Sequence, residues 1–158
     1  MTNMSEHAHP ITRILRDTRC APGELPLPEK VMLLLHPLAE KKMMVNHSIL
    51  FREGEHAEYA YLLYSGIVRF SASSLDGRTL TVRLATSGEV LGLSSAFSEK
   101  AHHTSAECLT DVCVGAVKKD DLLTFLARDT AARLPVLQLL SEEVNVYREL
   151  IRSFVHAA

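Results

Sequence analysis

The sequence has no surplus of basic charge, few cysteines and no long apolar run, and each absence removes a class of function. Seventeen Lys and Arg stand against nineteen Asp and Glu, for a net charge of −2. That leaves no basic footprint of the kind nucleic-acid backbones require. No apolar run approaches the roughly 20 residues that span a bilayer. The first ten residues, MTNMSEHAHP, lack the apolar segment of a signal peptide. A cytoplasmic protein with no membrane partner is expected. Three cysteines, an odd number with no CxxC spacing, argue against a disulfide framework and a zinc knuckle. Cys20 alone cannot hold an iron–sulfur cluster, and Cys108 and Cys113 lie in the apolar run ECLTDVCVGAV, where cysteine acts as a small hydrophobe. No nucleophile–base pair, paired carboxylates or Gly-rich nucleotide loop stands out, so no catalytic residue is assigned.

What is present is ordinary for a globular domain: 47% hydrophobic and 23% charged residues in a chain of 158, long enough to bury a real core. Residues 1–26 read as a leader, with the breaker-rich CAPGELPLP at its end. From Glu29 to Met44 apolar residues recur at helical spacing, and Pro37 must end or kink that helix. From Ser48 to Val117 the texture is β-branched and aromatic, cut by turn signals every ten residues or so. Asp76-Gly77 is the strongest hairpin signal, because both residues tolerate positive φ. About seven short strands indicate a mainly β sandwich or barrel-like roll, interrupted at GLSSAFSE by a short loop or one-turn helix. KKDDLLTFLARD then reads as a short helix, and Asp129 or Thr130 as the N-cap of a final long one.

The long helix carries Leu137, Leu140, Val144, Tyr147, Ile151 and Phe154 in alternating steps of three and four, a heptad seam. A second apolar set, Leu139, Val146, Leu150 and Val155, is offset around the helix. A helix apolar on two sides suits packing on the roll with one face and on a partner helix with the other. A homodimer through this helix is therefore expected, with Glu143 and Arg148 pairing across the seam. The expected organisation is a leader at 1–26, a β-roll with short flanking helices at 27–129, and a dimerisation helix at 130–158.

The order of elements, together with three segments, resembles the Crp/Fnr family of bacterial transcriptional regulators from about Leu27 to Phe154. ILFREGE at residues 49–55 is similar to the family's first-strand signature. Residues 61–92, with Gly66, Gly77 and Gly88 at turns, resemble its long hairpin, and SFVHAA resembles the hinge into a helix-turn-helix domain. The resemblance implies a cyclic-nucleotide-binding-like double-stranded β-roll, or jelly roll, used for signal sensing in transcription regulation. It places a phosphate-binding cassette after Gly88. Such a cassette cradles a cyclic phosphate on backbone N–H groups and neutralises it with an Arg, while a Glu accepts the ribose hydroxyl.

Here Leu93 stands at the Glu position and His102 or His103 near the Arg position, with no Arg between Arg83 and Arg128. The implied pocket is Gly92, Leu93, Ser94, Ser95, His102, His103 and Thr104, faced by Tyr147 and Arg148 from the dimer helix. With the key Glu and Arg gone, cyclic AMP is not expected to bind, although a protonated His offers a weak, pH-dependent substitute. The family's haem-sensing branch would need His102 or His103 as an axial ligand. With no recognition helix in the sequence, specific DNA binding is not expected. The reading is an effector-sensing, non-enzymatic domain with an unidentified small-molecule effector. Two alternatives stand beside it. One is a metal-dependent cupin-type enzyme using a His and Glu107 of HHTSAE, although adjacent strand histidines point to opposite faces. The other is a structural dimerisation module without a ligand.

Overall fold

The computed structural model describes residues 25–156, apart from the side chains at 154 and 156. The leader, Cys20 and the side chain of Phe154 lie outside this description. Helix α1 (Leu27–Leu35) has Pro28 and Glu29 in its first turn, where neither a missing N–H nor a negative charge is penalised. It buries Val31, Met32 and Leu35, and a 3-10 turn at His36–Leu38 ends it, because Pro37 cannot continue the hydrogen-bond ladder. The helical periodicity through Met44 therefore misleads. Residues Glu40–Met44 are strand β1, paired antiparallel with β8 from Glu40↔Ala116 to Met44↔Val112.

Seven further strands follow: β2 (Ile49–Phe51), β3 (Tyr59–Ser65), β4 (Val68–Ser73), β5 (Thr79–Ala85), β6 (Val90–Leu91), β7 (Ser105–Cys108) and β8 (Val112–Lys118). They form two antiparallel four-stranded sheets, in orders β1-β8-β3-β6 and β2-β7-β4-β5. This is the roll that the strand texture indicates, in the jelly-roll form that the resemblance implies. The β4–β5 hairpin turns at Asp76-Gly77, with Gly77 at φ +82°; Ser74 N–H donates to the Arg78 carbonyl at 2.7 Å across it.

Between β6 and β7 sits α2 (Leu93–Phe97), and after β8 come α3 (Lys119–Arg128) and the long α4 (Thr130–His156). Asp129 caps α4, its Oδ1 accepting from the N–H groups of Ala131 and Ala132 at 3.0 and 3.2 Å. β3 and β8 are central strands buried on both faces, so they read as unbroken apolar runs. On β3, Leu63 points between the two sheets with Phe51, Val68, Phe70 and Val114. Leu62 and Tyr64 point the other way, into a second core shared with α1, α2, α3 and α4. Cys108 and Cys113 are free and buried in these cores, and burial pushes both thiols above their ordinary pKa. No helix among the described residues is long and apolar enough to cross a membrane.

Candidate functional site

The cassette lies where the roll meets α4. Gly92, at φ +73°, turns the chain from β6 into α2. Leu93, Ser95 and Ala96 of α2 are buried, whereas Ser94 is exposed and donates its hydroxyl to Glu143 Oε1 at 3.1 Å. Glu143 therefore does not reach toward a partner helix as a heptad g position would. It joins α4 to the cassette of its own chain.

Gly92, Ser94, Ser95, His103 and Thr104 line one small cavity of about 40 Å³ with Arg83, Glu143 and Tyr147. The remaining expected pocket residues sit elsewhere. Leu93 packs into the helix-side core and borders an adjoining cleft of about 150 Å³ between α1, β6 and α4. His102, only 5% exposed, stacks on Phe51 with ring centroids 3.9 Å apart and planes 10° from parallel; burial holds its imidazole below the usual pKa. Arg148 is exposed and does not line the cassette cavity, in contrast to Tyr147.

The cation in this cavity comes from a residue outside the insert. Arg83 of β5 pairs with Glu89 at 2.8 Å and lies over the Phe70 ring, 4.6 Å from its centroid. Its place opposite Phe70 in the β4–β5 ladder and the Glu six positions later are the only sequence signals for it. One guanidinium against the carboxylates of Glu89 and Glu143 leaves no spare positive charge for a phosphate. Position 93, where the resemblance places the ribose-binding Glu, holds a leucine buried in the helix-side core. The insert therefore supplies neither the Arg nor the Glu that the resemblance assigns to a cyclic nucleotide.

Burial raises the Glu143 carboxyl pKa, against the opposing pull of the Ser94 hydrogen bond and the Arg83 charge. The unfolded chain gives up this proton more readily than the folded one, so stability declines as pH rises through and above the ordinary carboxylate range. Glu143→Gln keeps the acceptor for Ser94 and removes the charge. Its melting temperature at pH 7 should exceed that of the parent by a few degrees, and the gap should close as pH falls below about 4.5. A constant gap across this range in thermal scans would mean Glu143 carries no such cost.

Glu107, the carboxylate considered for a cupin-type centre, is engaged elsewhere, and His103 lines the cassette cavity. Glu107 is engaged by Arg69 at 2.5 Å and lies 3.8 Å from His47, while His102 is stacked on Phe51. Among the described residues no group of three His, Cys, Asp or Glu side chains is placed to hold a metal ion.

Comparison with known proteins agrees with this architecture. The anaerobic regulatory protein of Bacillus subtilis (strain 168) is 29% identical over 123 residues, which cover 77% of this chain and 52% of the relative. The chain thus spans about half the length of that relative. The crystal structure of the Thermus thermophilus catabolite activator protein matches 94% of this chain and 63% of its own, with a TM-score of 0.70 at 23% identity. The sensor domain of the Pseudomonas aeruginosa transcriptional regulator DNR matches 78% of this chain and 87% of its own, with a TM-score of 0.64 at 17% identity. At these identities the two structures speak to the fold. Residues 42–129, more than half of the 158, match the cyclic nucleotide-binding domain. The chain belongs to that family, in the Crp/Fnr arrangement of roll, cassette and long helix.

Proposed function

We propose that this chain is the effector-sensing and dimerising part of a Crp/Fnr-type regulator whose cassette has given up cyclic nucleotides. The observation that carries the reading is the Ser94–Glu143 hydrogen bond. It joins the cassette to α4 directly, through a carboxylate that would repel a phosphate. An effector entering at this junction, beside Leu93, Leu139 and Val146, would break or retain that contact and so shift α4 against the roll. A ligand acts on such an equilibrium only by binding one arrangement better than the other. The downstream readout would be the relative position of two such helices.

Calorimetric titration with cyclic AMP, cyclic GMP and a cyclic dinucleotide at pH 6 and pH 8 tests the first half of this. No binding heat is expected at either value. Binding at either value, or binding that strengthens at pH 6, would overturn the reading. His102 is stacked on Phe51, and burial lowers its imidazole pKa, which works against the charged form that the Arg role needs.

The small free volume at the cassette, about 40 Å³, favours a second reading, a structural dimer with no ligand. Amide exchange separates the two. A sensor's α4 changes protection when a metabolite mixture is added, and a purely structural helix does not.

A further inference from the structure

The most spacious of the cavities described lies against the Phe51–His102 stack. A half-open cleft of about 380 Å³ is lined by β2, the turn that follows it and the start of β3, within the roughly 300–1,000 Å³ range of small-molecule sites. Its walls are aromatic. Phe51 and Tyr61 stand 6.3 Å apart with planes 21° from parallel, Tyr59 and Tyr61 stand 6.0 Å apart, and His102, stacked on Phe51, lines the same cleft. Glu55 and Glu58 are set at the same cavity.

Two backbone hydrogen bonds make the wall a defined one. Gly54 N–H donates to the His102 carbonyl at 3.0 Å, and His102 N–H donates to the Glu55 carbonyl at 2.9 Å. Aromatic faces and carboxylates together attract cations and repel anions. The protein already uses one of these rings in that way: the Lys42 ammonium lies 4.9 Å from the Tyr59 centroid. The carboxylates also act at the wall, for Glu58 and Glu55 add to burial and to Tyr59 in raising the Tyr61 pKa. Arg52, 3.9 Å from Glu55, offsets part of that negative charge but is itself well exposed.

We propose that this aromatic, carboxylate-edged cavity is a second binding site, separate from the cassette, for a small quaternary ammonium group. A quaternary ammonium spreads its charge over methyl groups and gives up little hydration, which suits it to aromatic walls better than a primary amine. This goes beyond the sensor reading and does not depend on it.

The test is an NMR and calorimetric titration of the intact chain with choline and with 3,3-dimethylbutan-1-ol, which has carbon in place of the nitrogen. Choline should shift the Tyr59 and Tyr61 ring signals and bind about tenfold more tightly than the neutral isostere. Tyr59→Phe keeps the ring and should bind as the parent does, whereas Tyr59→Leu should lose about tenfold. Glu58→Gln, an exposed change that leaves the packing alone, should weaken binding severalfold and guards against misfolding of the Leu variant. Vesicles of phosphatidylcholine, compared with phosphatidylglycerol, distinguish a lipid-borne ammonium from a free one. Equal binding of choline and its neutral isostere, or no movement of either tyrosine ring, would overturn the proposal.

Discussion

On the proposed pairing through α4, Val144→Glu is expected to leave the protein monomeric with the melting temperature of the monomer unchanged. In the folded chain α4 leaves a continuous stripe uncovered: Leu134, Leu137, Ser141, Val144, Arg148, Ile151 and Val155. These positions alternate in steps of three and four, the spacing of a helix–helix seam. Leu137, Val144 and Ile151 repeat every seven residues and are 61%, 51% and 61% exposed, so a single chain leaves about half or more of each in water. A two-fold interface sets each residue of the stripe near its own copy, and a glutamate at 144 would bring two carboxylates together inside an apolar seam. Such a pair should weaken the dimer at least 100-fold, about 3 kcal/mol. Sedimentation velocity across the micromolar range reads the change directly. A Val144→Glu protein that still sediments as a dimer would remove α4 as the interface. Leu140→Glu makes the contrast, since Leu140 packs against the helix-side core and its loss should unfold the chain rather than separate two copies.

That contrast marks how far the sequence could be read. Heptad spacing finds a helix apolar on two sides, and it does not tell which side faces the roll. Leu137, Val144 and Ile151 do lie outward, while Leu140 and Tyr147 turn inward to the core and the cassette. The partners that decide this, Ser94 and the α1 face, lie far away in the chain. The β-roll itself was legible from local texture, because turn glycines and β-branched runs act over a few residues. Strand β1 was hidden, since EKKMM has neither alternation nor β-branched residues and becomes a strand by pairing with the apolar β8. Arg83 was missed for a related reason. A search for a phosphate cation within the insert looks along the chain, whereas the cavity gathers its walls from β2, β4, β5 and α4.

Gly66→Ala should cost more stability than the same change at any other described glycine with positive φ. Gly66, between β3 and β4, has φ +96°, and a Cβ there would come within 2.5 Å of the Asp111 carbonyl oxygen and 2.7 Å of Val112 Cγ2. The first of these is backbone and cannot swing away. It belongs to the β7–β8 turn, which is fastened to this corner twice: Ile67 N–H donates to Thr110 Oγ1 at 3.0 Å, and Leu109 N–H donates to the Ile67 carbonyl at 2.9 Å. Admitting the methyl group means prising these turns apart, an overpacking cost of about 1–3 kcal/mol, on top of roughly 1 kcal/mol for a non-glycine residue at positive φ. For a chain of this size the melting temperature should fall by roughly 5–15 °C. Gly77→Ala separates the two costs. Gly77 has a similar φ of +82°, but a Cβ there would meet nothing within 4 Å, so only the conformational part remains and the fall should be roughly 2–4 °C. Equal shifts for the two variants in parallel thermal scans would show that the β7–β8 turn is not held against Gly66 in solution. A large difference would locate the stability of this end of the roll in that crossing.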